Sequence, residues 1–536
     1  MQRLKELELY HKLGDKLEVD IGIINGTIID GSGAPGFLGN VLIRHGKIDY
    51  CGKPDAPLPA ARRIIDAQGK IVCPGFVDTH THSDLLLLWN RQHASALQQG
   101  VTTEIIGQDG MSYAPMSKEN LHMYVRYAAG CNGHPNIDYD WQTGLQYMKK
   151  FKNCGINTAW LVPHCALRLE TVGMQNIPLT GKYLEKAKNL LELTLREGAK
   201  GFSTGLSYLP NYFSDTSELI ELCKVVAYYN GVFAIHLRTI FQGEPFDPIE
   251  EAFEIARKSG VKLHFSHFKT NLVTAGQIEK HMEKIDSAIS EGLDISLELY
   301  PYAYGASLLQ MFLPSWIMEG GLEKTLRRLS DSALRKKAEK EINTGNIPNS
   351  IFCNLPMHQE YLGMSFHEVA QYRGQSLGEM ICDILLAEEL CAGFYDQAPE
   401  TEMEKILEND CMKLLMRPDY MVGSDAIIAG EQPHPRAFGT FPKLLRLARE
   451  KNIPFETIIN RMTQKPCDRF SLSNRGLLGA GKWADIVIFD PLTVSDTAKP
   501  ENARTAPKGI DYVIVNGKIA VQHGAVTGIL NGTYKT

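Results

Sequence analysis

The chain of 536 residues lacks a long hydrophobic run, a strong excess of one charge and any paired-cysteine motif. Its longest strongly apolar run, Leu85 to Trp89, is far shorter than the roughly 20 residues that a membrane-spanning helix needs. The 56 Lys and Arg residues nearly balance the 62 Asp and Glu residues, which leaves a net charge of −6 without a long block of one sign. This composition indicates neither nucleic acid nor a membrane as a partner.

The N-terminal segment also lacks the continuous apolar core of a secretory signal. Residues 1–17 instead alternate charged and apolar residues at helical spacing, which predicts a short surface helix. The 11 cysteines are scattered and form no CxxC pair, a pattern typical of reduced thiols. We therefore expect a cytoplasmic protein.

The two ends of the chain resemble each other and differ from the middle. Both contain short β-branched runs joined by turn residues, with Asn-Gly pairs at positions 25–26 and 516–517. Asn-Gly between apolar runs is a strong hairpin signal and predicts antiparallel sheet. Because lone hairpins are only marginally stable in water, we expect residues 18–74 and 475–536 to combine into one small β-sandwich.

Between the ends, apolar strand-like runs alternate with amphipathic helical stretches, the rhythm of a parallel α/β sheet. Eight candidate strands begin at Gly75, Val101, Thr158, Ala199, Gly231, Val261, Asp294 and Tyr420. Eight strands close a TIM-type (β/α)8 barrel, whose active site lies at the C-terminal ends of the strands. We predict this barrel over residues 75–474. The interval of about 303–418 is too long for a βα loop and has helical patterns, so we predict a helical lid inserted there.

Histidines and an acid recur at the ends of these predicted strands. Period-two alternation places His80 and His82 on one face of the first strand, so that both imidazoles can reach one metal ion. The fifth strand ends near His236, the sixth near His267 and the eighth at Asp425. Four histidines and an acid at one end of a barrel predict a divalent metal site.

Three other motifs offer competing chemistry. Gly201–Gly205 has the GxSxG pattern of a serine-hydrolase nucleophile, but the sequence positions no histidine as its base. In the barrel interpretation this segment is simply the end of the fourth strand. Gly476–Lys482 has Walker A spacing, yet Trp483 replaces the Ser or Thr that would hold Mg²⁺. His367-Glu368 begins a zincin pattern whose second histidine is missing, so both of these motifs are rejected.

The motifs at the predicted strand ends resemble those of the amidohydrolase superfamily and, within it, the D-aminoacylase (N-acyl-D-amino-acid deacylase) family. The matching stretches cover nearly the whole chain after the first strand of the sandwich: GFVDTHTHSD, GVTTE, EGAKGFSTGLSYLP, FSDTSEL, HLR, SHFK, LYPY, GSDA, HPRAFGTFP, RMTQKPCDRF and RGLLGAGKWADIVIFDP. The resemblance implies a cofactor of one or two zinc ions, with other divalent metals as alternatives. It also implies that the metal site comprises His80, His82, His236, His267 and Asp425.

One position departs from the pattern of that family. Where the family usually has a metal-binding cysteine after the second strand, this chain has Asp109 in the turn Gly107–Gly110. A carboxylate is a harder ligand than a thiolate, so we expect Asp109 to bind the metal and to shift its preference away from soft ions. The alternative is an ordinary turn aspartate that precedes a glycine.

The resemblance further implies which residues contact the substrate. Tyr208, Lys269 and Arg436 bind the substrate's α-carboxylate, as a neutral donor, a point charge and a planar fork respectively. His164 either donates to the oxyanion that develops at the scissile carbonyl or is hydrogen-bonded within the core. Asp425 accepts a proton from the attacking water and delivers it to the leaving amine.

The predicted function is therefore metal-dependent hydrolysis of N-acyl-D-amino acids to a carboxylic acid and a free D-amino acid. A metallo-dipeptidase that removes a C-terminal D-residue is a close alternative, because the N-terminal residue of a peptide can stand where the acyl group would be. A non-catalytic barrel that serves as a scaffold is the alternative of a different class. The complete set of four histidines and one aspartate argues against a scaffold.

Overall fold

The structure is a computed structural model that describes residues 18–54, 59–238 and 246–534. The helix predicted for residues 1–17 lies outside the described residues. The strands are β1 Val19–Ile28, β2 Phe37–Arg44, β3 Lys47–Gly52, β4 Ala61–Asp66, β5 Ile71–Pro74, β6 Phe76–Asp78, β7 Val101–Ile106, β8 Asn157–Trp160, β9 Val162–Pro163, β10 Gly201–Gly205, β11 Val232–His236, β12 Lys262–Phe265, β13 Ile295–Leu299, β14 Ala306–Leu308, β15 Ile351–Asn354, β16 Gly393–Tyr395, β17 Tyr420–Val422, β18 Ile486–Phe489, β19 Ile510–Val515, β20 Lys518–Gln522 and β21 Ala525–Val526.

The helices lie mainly between the strands of the middle segment. They are α1 Asp84–Trp89, α2 Ala94–Leu97, α3 Lys118–Tyr127, α4 Ala129–Asn132, α5 Gly144–Lys150, α6 His164–Leu169, α7 Gly181–Arg196, α8 Thr216–Tyr228, α9 Pro248–Ser259, α10 Ile278–Ser290, α11 Ser315–Met318, α12 Leu322–Ser330, α13 Ser332–Thr344, α14 Phe366–Arg373, α15 Leu377–Ala387, α16 Thr401–Leu415, α17 Arg436–Glu450, α18 Phe455–Met462 and α19 Gln464–Arg469. In the described ranges, none of them combines the length and the apolarity that crossing a lipid bilayer requires.

The eight candidate strands of the sequence all form parallel strands of the middle segment. One sheet has the order β6-β7-β8, and another has the order β17-β13-β12-β11-β10-β9. β8 and β9 are separated only by Leu161, whose N–H donates to Ile106 O at 3.1 Å. At the other edge, Thr79 N donates to Val422 O at 3.1 Å, which connects the end of β6 to β17. The two sheets therefore meet at both edges.

Burial explains why the barrel strands carry apolar residues on both faces. Every residue of β7, β10 and β13 is buried, because helices cover the outside while the opposite faces meet inside. The helix α9 illustrates the outer layer. Asp247 caps its N-terminus, Gly260 ends it at a φ of 72°, and its apolar side buries Phe253 and Ile255.

The two chain ends share a single nine-stranded sheet, in which β5 pairs with β18 antiparallel. The Asn-Gly pair at 516–517 forms the predicted hairpin turn between β19 and β20. The hairpin predicted at 25–26 is wrong: β1 continues through this pair, and its register with β2 shifts between Ile23 and Gly26. Asn25 has a φ of 62°, so the pair forms a bulge within a strand rather than a turn between two strands.

The segment between β13 and β17 contains α11–α16 together with a small antiparallel sheet of order β14-β16-β15. The sequence predicted only helices here, because strands of three or four residues are too short to display a clear alternation. Lys443 Nζ on α17 lies 2.7 Å from Glu408 Oε1 on α16. Thr270, in the loop after β12, donates to Asp410 Oδ2 at 3.0 Å. These contacts attach the inserted segment beside the C-terminal ends of the barrel strands.

Candidate active site

Six histidine and aspartate side chains, whose nitrogen and oxygen atoms are of the kinds that bind metals, converge at the C-terminal ends of the barrel strands. They are His80, His82, Asp109, His236, His267 and Asp425. His82 Nε2 lies 3.4 Å from Asp425 Oδ1, and His80 Nε2 lies 3.7 Å from the same oxygen. His236 Nδ1 lies 2.9 Å from His267 Nε2. The barrel thus brings donors from five different strand ends to one point.

Asp109 lies at the centre of this group. Its Oδ1 is 3.5 Å from His80 Nε2, and its Oδ2 is 3.5 Å from both His82 Nε2 and His236 Nδ1. Burial opposes ionisation of the carboxyl, but the adjacent His80 and His236 outweigh it and hold the pKa of Asp109 well below its usual range. Asp109 is therefore a carboxylate at the position where the related family usually has cysteine.

Three of the six donors have backbones in the left-handed region, which non-glycine residues rarely adopt. The φ angles are 54° at Asp109, 37° at His267 and 53° at Asp425. Such conformations cost of the order of 1 kcal/mol each and persist only where surrounding contacts impose them. At Asp109 the contacts come from Ser203, whose hydroxyl donates to Gly107 O and accepts from Gly110 N at 3.0 Å.

This role of Ser203 bears on the GxSxG motif at Gly201–Gly205. The side chain is fully buried and is hydrogen-bonded to the backbone on both sides of Asp109. Since a nucleophilic serine must be exposed to substrate and bonded to a base, the motif acts here as a support for the turn.

The donor atoms fit a divalent metal ion. His80 Nε2 and Asp109 Oδ1 are buried and have no hydrogen-bond partner among the described residues. Two groups of three, His80 with Asp109 and His267, and His80 with His82 and Asp425, have ligand atoms within 4.8 Å of one another. Imidazole nitrogens and carboxylate oxygens are common zinc ligands, and leaving them buried without a partner is costly.

Glu298 is a residue of this site that the sequence interpretation missed. Its Oε1 lies 2.5 Å from His80 Nδ1, and its Oε2 lies 3.1 Å from His264 Nε2. When the proton of His80 is on Nδ1, it is donated to the Glu298 carboxylate. The lone pair of Nε2 then remains available to bind a metal ion. His264, which also lies 2.7 Å through Nδ1 from Ser296 Oγ, belongs to this buried network. An acid inside the apolar strand β13 was the available signal.

Two cations lie beside the donor cluster. Arg436, the fully buried first residue of α17, has its Nη1 2.9 Å from Asp425 Oδ2. Burial opposes ionisation of Asp425, but Arg436 outweighs it and holds the pKa of that carboxyl well below its usual range. Lys269 Nζ and the Arg436 guanidinium lie 4.2 Å and 4.7 Å from the ring centre of Tyr300. Burial lowers the pKa of Lys269 to about 8.

Tyr208 lies at the same site, whereas His164 is enclosed in the core. The Tyr208 ring centre is 5.0 Å from that of His236, and its hydroxyl is 3.2 Å from Ser307 Oγ. His164 Nδ1 lies 2.9 Å from Thr204 Oγ1, and its Nε2 lies 2.8 Å from Glu218 Oε1. With both ring nitrogens bonded to buried protein groups, His164 corresponds to the core alternative and is not available to an oxyanion.

A protein-family sequence model described as "Amidohydrolase family" matches residues 63–207 and 389–521 of the chain. The chain belongs to the amidohydrolase family. This amidohydrolase is 31% identical to D-aminoacylase from Alcaligenes xylosoxydans xylosoxydans over 525 residues, which cover 96% of this chain and 97% of the relative.

Two solved structures resemble the amidohydrolase over its length. N-acyl-D-glutamate deacylase from Bordetella bronchiseptica, complexed with zinc and a phosphonate inhibitor, has a TM-score of 0.79 at 28% identity, covering 96% of this chain and 99% of its own. A D-aminoacylase with a binuclear metal centre has a TM-score of 0.78 at 29% identity, with the same coverage. The predicted family and the TIM-type barrel are confirmed by these similarities.

Proposed function

We propose that this amidohydrolase hydrolyses the amide bond of N-acyl-D-amino acids and releases a carboxylic acid and a free D-amino acid. The observation that carries the proposal is the position of Arg436 and Lys269 directly beside the cluster of histidines and aspartates. A metal-activated site next to buried cations suits an amide substrate that carries a carboxylate. The D-aminoacylase and deacylase relatives support the same substrate class.

The metal-binding residues of the proposal are His80, His82, Asp109, His236, His267 and Asp425. Zinc suits this nitrogen and oxygen donor set, and zinc is present in the solved N-acyl-D-glutamate deacylase. One or two such ions, when bound, supply Lewis acidity that activates a water for attack and polarises the scissile carbonyl. Glu298 orients His80 from behind through the bond to Nδ1.

Asp425 is the proposed proton-transfer residue. Its carboxylate is ionised beside Arg436 and projects into the donor cluster, so it can accept the proton of the attacking water. The same carboxyl group then passes that proton to the amine as the C–N bond breaks. Hydrolysis by this route forms no covalent bond between the chain and the substrate. The phosphonate bound by the Bordetella relative, a mimic of the tetrahedral intermediate, is consistent with direct attack of water.

Lys269, Arg436 and Tyr208 are the proposed contacts to the α-carboxylate of the substrate. Arg436 Nε is buried without a hydrogen-bond partner among the described residues, so it retains donor capacity in addition to its ion pair with Asp425. Tyr208 lies beside His236, with the ring centres 5.0 Å apart. Holding the carboxylate positions the neighbouring amide over the donor cluster.

The proposal also concerns where the protein acts. The eleven cysteines are all free thiols; nine are buried and two are half-buried. The absence of a disulfide among them supports the cytoplasm as the location. The partner of the site is a small molecule that carries an α-carboxylate.

A substrate screen of the zinc-loaded chain and its Asp425→Asn variant tests the proposed reaction. We expect the wild type to hydrolyse N-acyl-D-amino acids in preference to N-acyl-L-amino acids and L-Xaa-D-Xaa dipeptides, with release of the amine as the readout. Asn cannot accept the proton, so the variant should lose about 10²–10⁴-fold in kcat while keeping the wild-type melting temperature. Preferred cleavage of the dipeptides, or wild-type turnover in the variant, would contradict the proposal.

A further inference from the structure

His434 is a buried histidine beside the proposed carboxylate site, and the proposed reaction gives it no role. It is 1% exposed and lies in the loop between β17 and α17, two residues before Arg436. The backbone N–H of Arg436 donates to His434 Nδ1 at 3.0 Å. A ring nitrogen that accepts a hydrogen bond carries no proton, so the proton of the neutral imidazole is on Nε2.

The surroundings keep this ring neutral and fixed. Burial together with the nearby Arg436 and Lys269 holds the pKa of His434 well below its usual range. The ring centre lies 4.3 Å from that of Tyr304 and 5.4 Å from that of Tyr302, and the Tyr302 ring is nearly perpendicular to it. His434 Nε2 is therefore a donor held in one orientation by aromatic packing.

This donor has no acceptor among the residues that the structure describes. His434 Nε2 is buried and lacks a hydrogen-bond partner there, as does Nε of Arg436, whereas Arg436 Nη1 is paired with Asp425. Leaving a buried donor unpaired costs about 1–3 kcal/mol. Two unpaired N–H groups, on residues two positions apart, are complementary to an anion that can accept several hydrogen bonds at once.

Gly305 lies beside these groups. A Cβ atom at this position would lie 3.5 Å from Asp396 Oδ2, 3.6 Å from the Tyr300 hydroxyl and 3.8 Å from Arg436 Nη1, so the loop backbone runs close to the guanidinium. The next residue, Ala306, accepts from Arg436 Nη2 at 3.4 Å through its carbonyl, which holds the guanidinium against this loop.

We propose that His434 is a substrate-binding residue, whose Nε2–H donates to the α-carboxylate of the substrate while Arg436 and Lys269 neutralise its charge. The inference rests on the proposed function, since it assumes that the ligand carries a carboxylate. A neutral N–H donor in this place fixes the orientation of the carboxylate, because its hydrogen bond is directional. A point charge such as Lys269, in contrast, attracts the carboxylate from many directions. The hydrogen bond from Arg436 N to His434 Nδ1 holds the two residues together at the start of α17. The His434 imidazole and the Arg436 guanidinium therefore both donate from the same end of this helix.

The His434→Asn variant separates binding from structure. The Asn side-chain oxygen can accept from Arg436 N as Nδ1 does, but Asn has no donor at the distance of Nε2. We expect the zinc-loaded variant to show a KM about tenfold higher for the best-bound member of a panel of N-acetyl-D-leucine, N-acetyl-D-methionine and N-acetyl-D-glutamate, with kcat changed less than about threefold. His434→Gln, whose longer amide reaches further, should recover part of the loss.

The matched control ligand is the α-carboxamide of the same compound. It presents no negative charge to the donors, so His434→Asn should affect its binding by less than about twofold. His523→Asn, a change in the terminal sheet, is the control for the substitution itself and should leave both ligands unaffected. An equal loss for carboxylate and carboxamide, or no loss for either, would overturn the inference and leave His434 as a helix cap.

A binding measurement distinguishes this inference from the proposed function. Calorimetric titration of the metal-depleted chain with the same panel reports Kd without turnover, and we expect His434→Asn to weaken it about tenfold. If the wild type binds the carboxylates but does not hydrolyse them, the proposed function fails and the comparison of Kd values still decides the role of His434. If the wild type binds none of them, both proposals are wrong.

Discussion

Asp109 shows how much chemistry a single residue decides in this protein. Its two oxygens lie within 3.5 Å of nitrogens from His80, His82 and His236, so this carboxylate contacts donors of three histidines at once. A thiolate at the same position would offer one large, polarisable atom instead of two hard ones. If Asp109 binds the metal as proposed, the identity of this side chain sets which ions the site prefers.

Asp109→Cys should change metal preference. We expect the ratio of Cd²⁺ to Mn²⁺ affinity, measured by competition and elemental analysis, to rise at least about tenfold, because thiolate favours the softer ion. A thiolate-to-metal absorption band should appear on adding Cd²⁺. Asp109→Asn, which keeps the shape and removes the charge, is the control and should weaken both ions. An unchanged ratio in Asp109→Cys would show that residue 109 is not a ligand.

The strand β10 supports the turn that carries Asp109, a role that the GxSxG motif within this strand does not indicate. Residues 201–205 pair with β11 along their whole length, which holds Ser203 opposite the turn that carries Asp109. The hydroxyl bonds that turn on both sides, and the strand thereby supports a backbone conformation that the turn alone would not keep.

Ser203→Ala tests this supporting role against nucleophilic catalysis. We expect the variant to lose about 1–3 kcal/mol of stability, since Gly110 N is left without its buried acceptor, and to lose less than about tenfold in kcat. Removal of a nucleophilic serine instead costs about 10⁶-fold in kcat in serine hydrolases. Chemical denaturation and steady-state kinetics on one preparation measure both quantities. Abolished turnover in a variant that still binds metal would restore the nucleophile interpretation.

At the scale of the whole molecule, buried polar networks connect elements that are distant in sequence. Glu218 at the start of α8 accepts from Arg168 Nη1 at 2.7 Å and bonds His164 Nε2 at 2.8 Å, both on α6. Burial opposes ionisation, but these partners outweigh it and lower the pKa of Glu218 to about 2. Folding therefore favours the ionised form of this carboxyl.

Glu218→Gln should lower stability in a way that depends on pH. A carboxyl group whose pKa falls on folding stabilises the protein above its unfolded pKa, and this contribution disappears as pH falls through the folded pKa. We expect a loss of about 3 kcal/mol in the free energy of unfolding at pH 7, which narrows between about pH 4.5 and 2. Glu221→Gln, on the surface of the same helix, should cost less than about 0.5 kcal/mol. A difference that is constant with pH would contradict this account.

Much of the fold could be predicted because it depends on local patterns. Each barrel strand appears as a short apolar run. His80 and His82 lie close together as predicted, with ring centres 5.3 Å apart, although the strand on which the alternation was counted ends at Asp78. Residues whose roles depend on distant partners were missed or left open. Glu298 contacts His80 from a strand 218 residues away; an acid inside the apolar strand β13 indicates a buried polar role, but its partner is set by the fold. Asn25-Gly26 has the local pattern of a hairpin, but pairing with β2, β4 and β5 keeps the strand continuous.

The sequence by itself determined the family, the eight barrel strands and the residues that offer nitrogen and oxygen ligands, because periodicity and motif are properties of neighbouring residues. The tertiary structure decided how these ligands are supported. It enclosed His164 between Thr204 and Glu218, although the motif alone left it free for the substrate. It also left the Nε2–H of His434, beside Arg436, without a partner in the described part of the chain. Whether a buried donor is satisfied depends on every element packed around it, so only the folded chain can decide it.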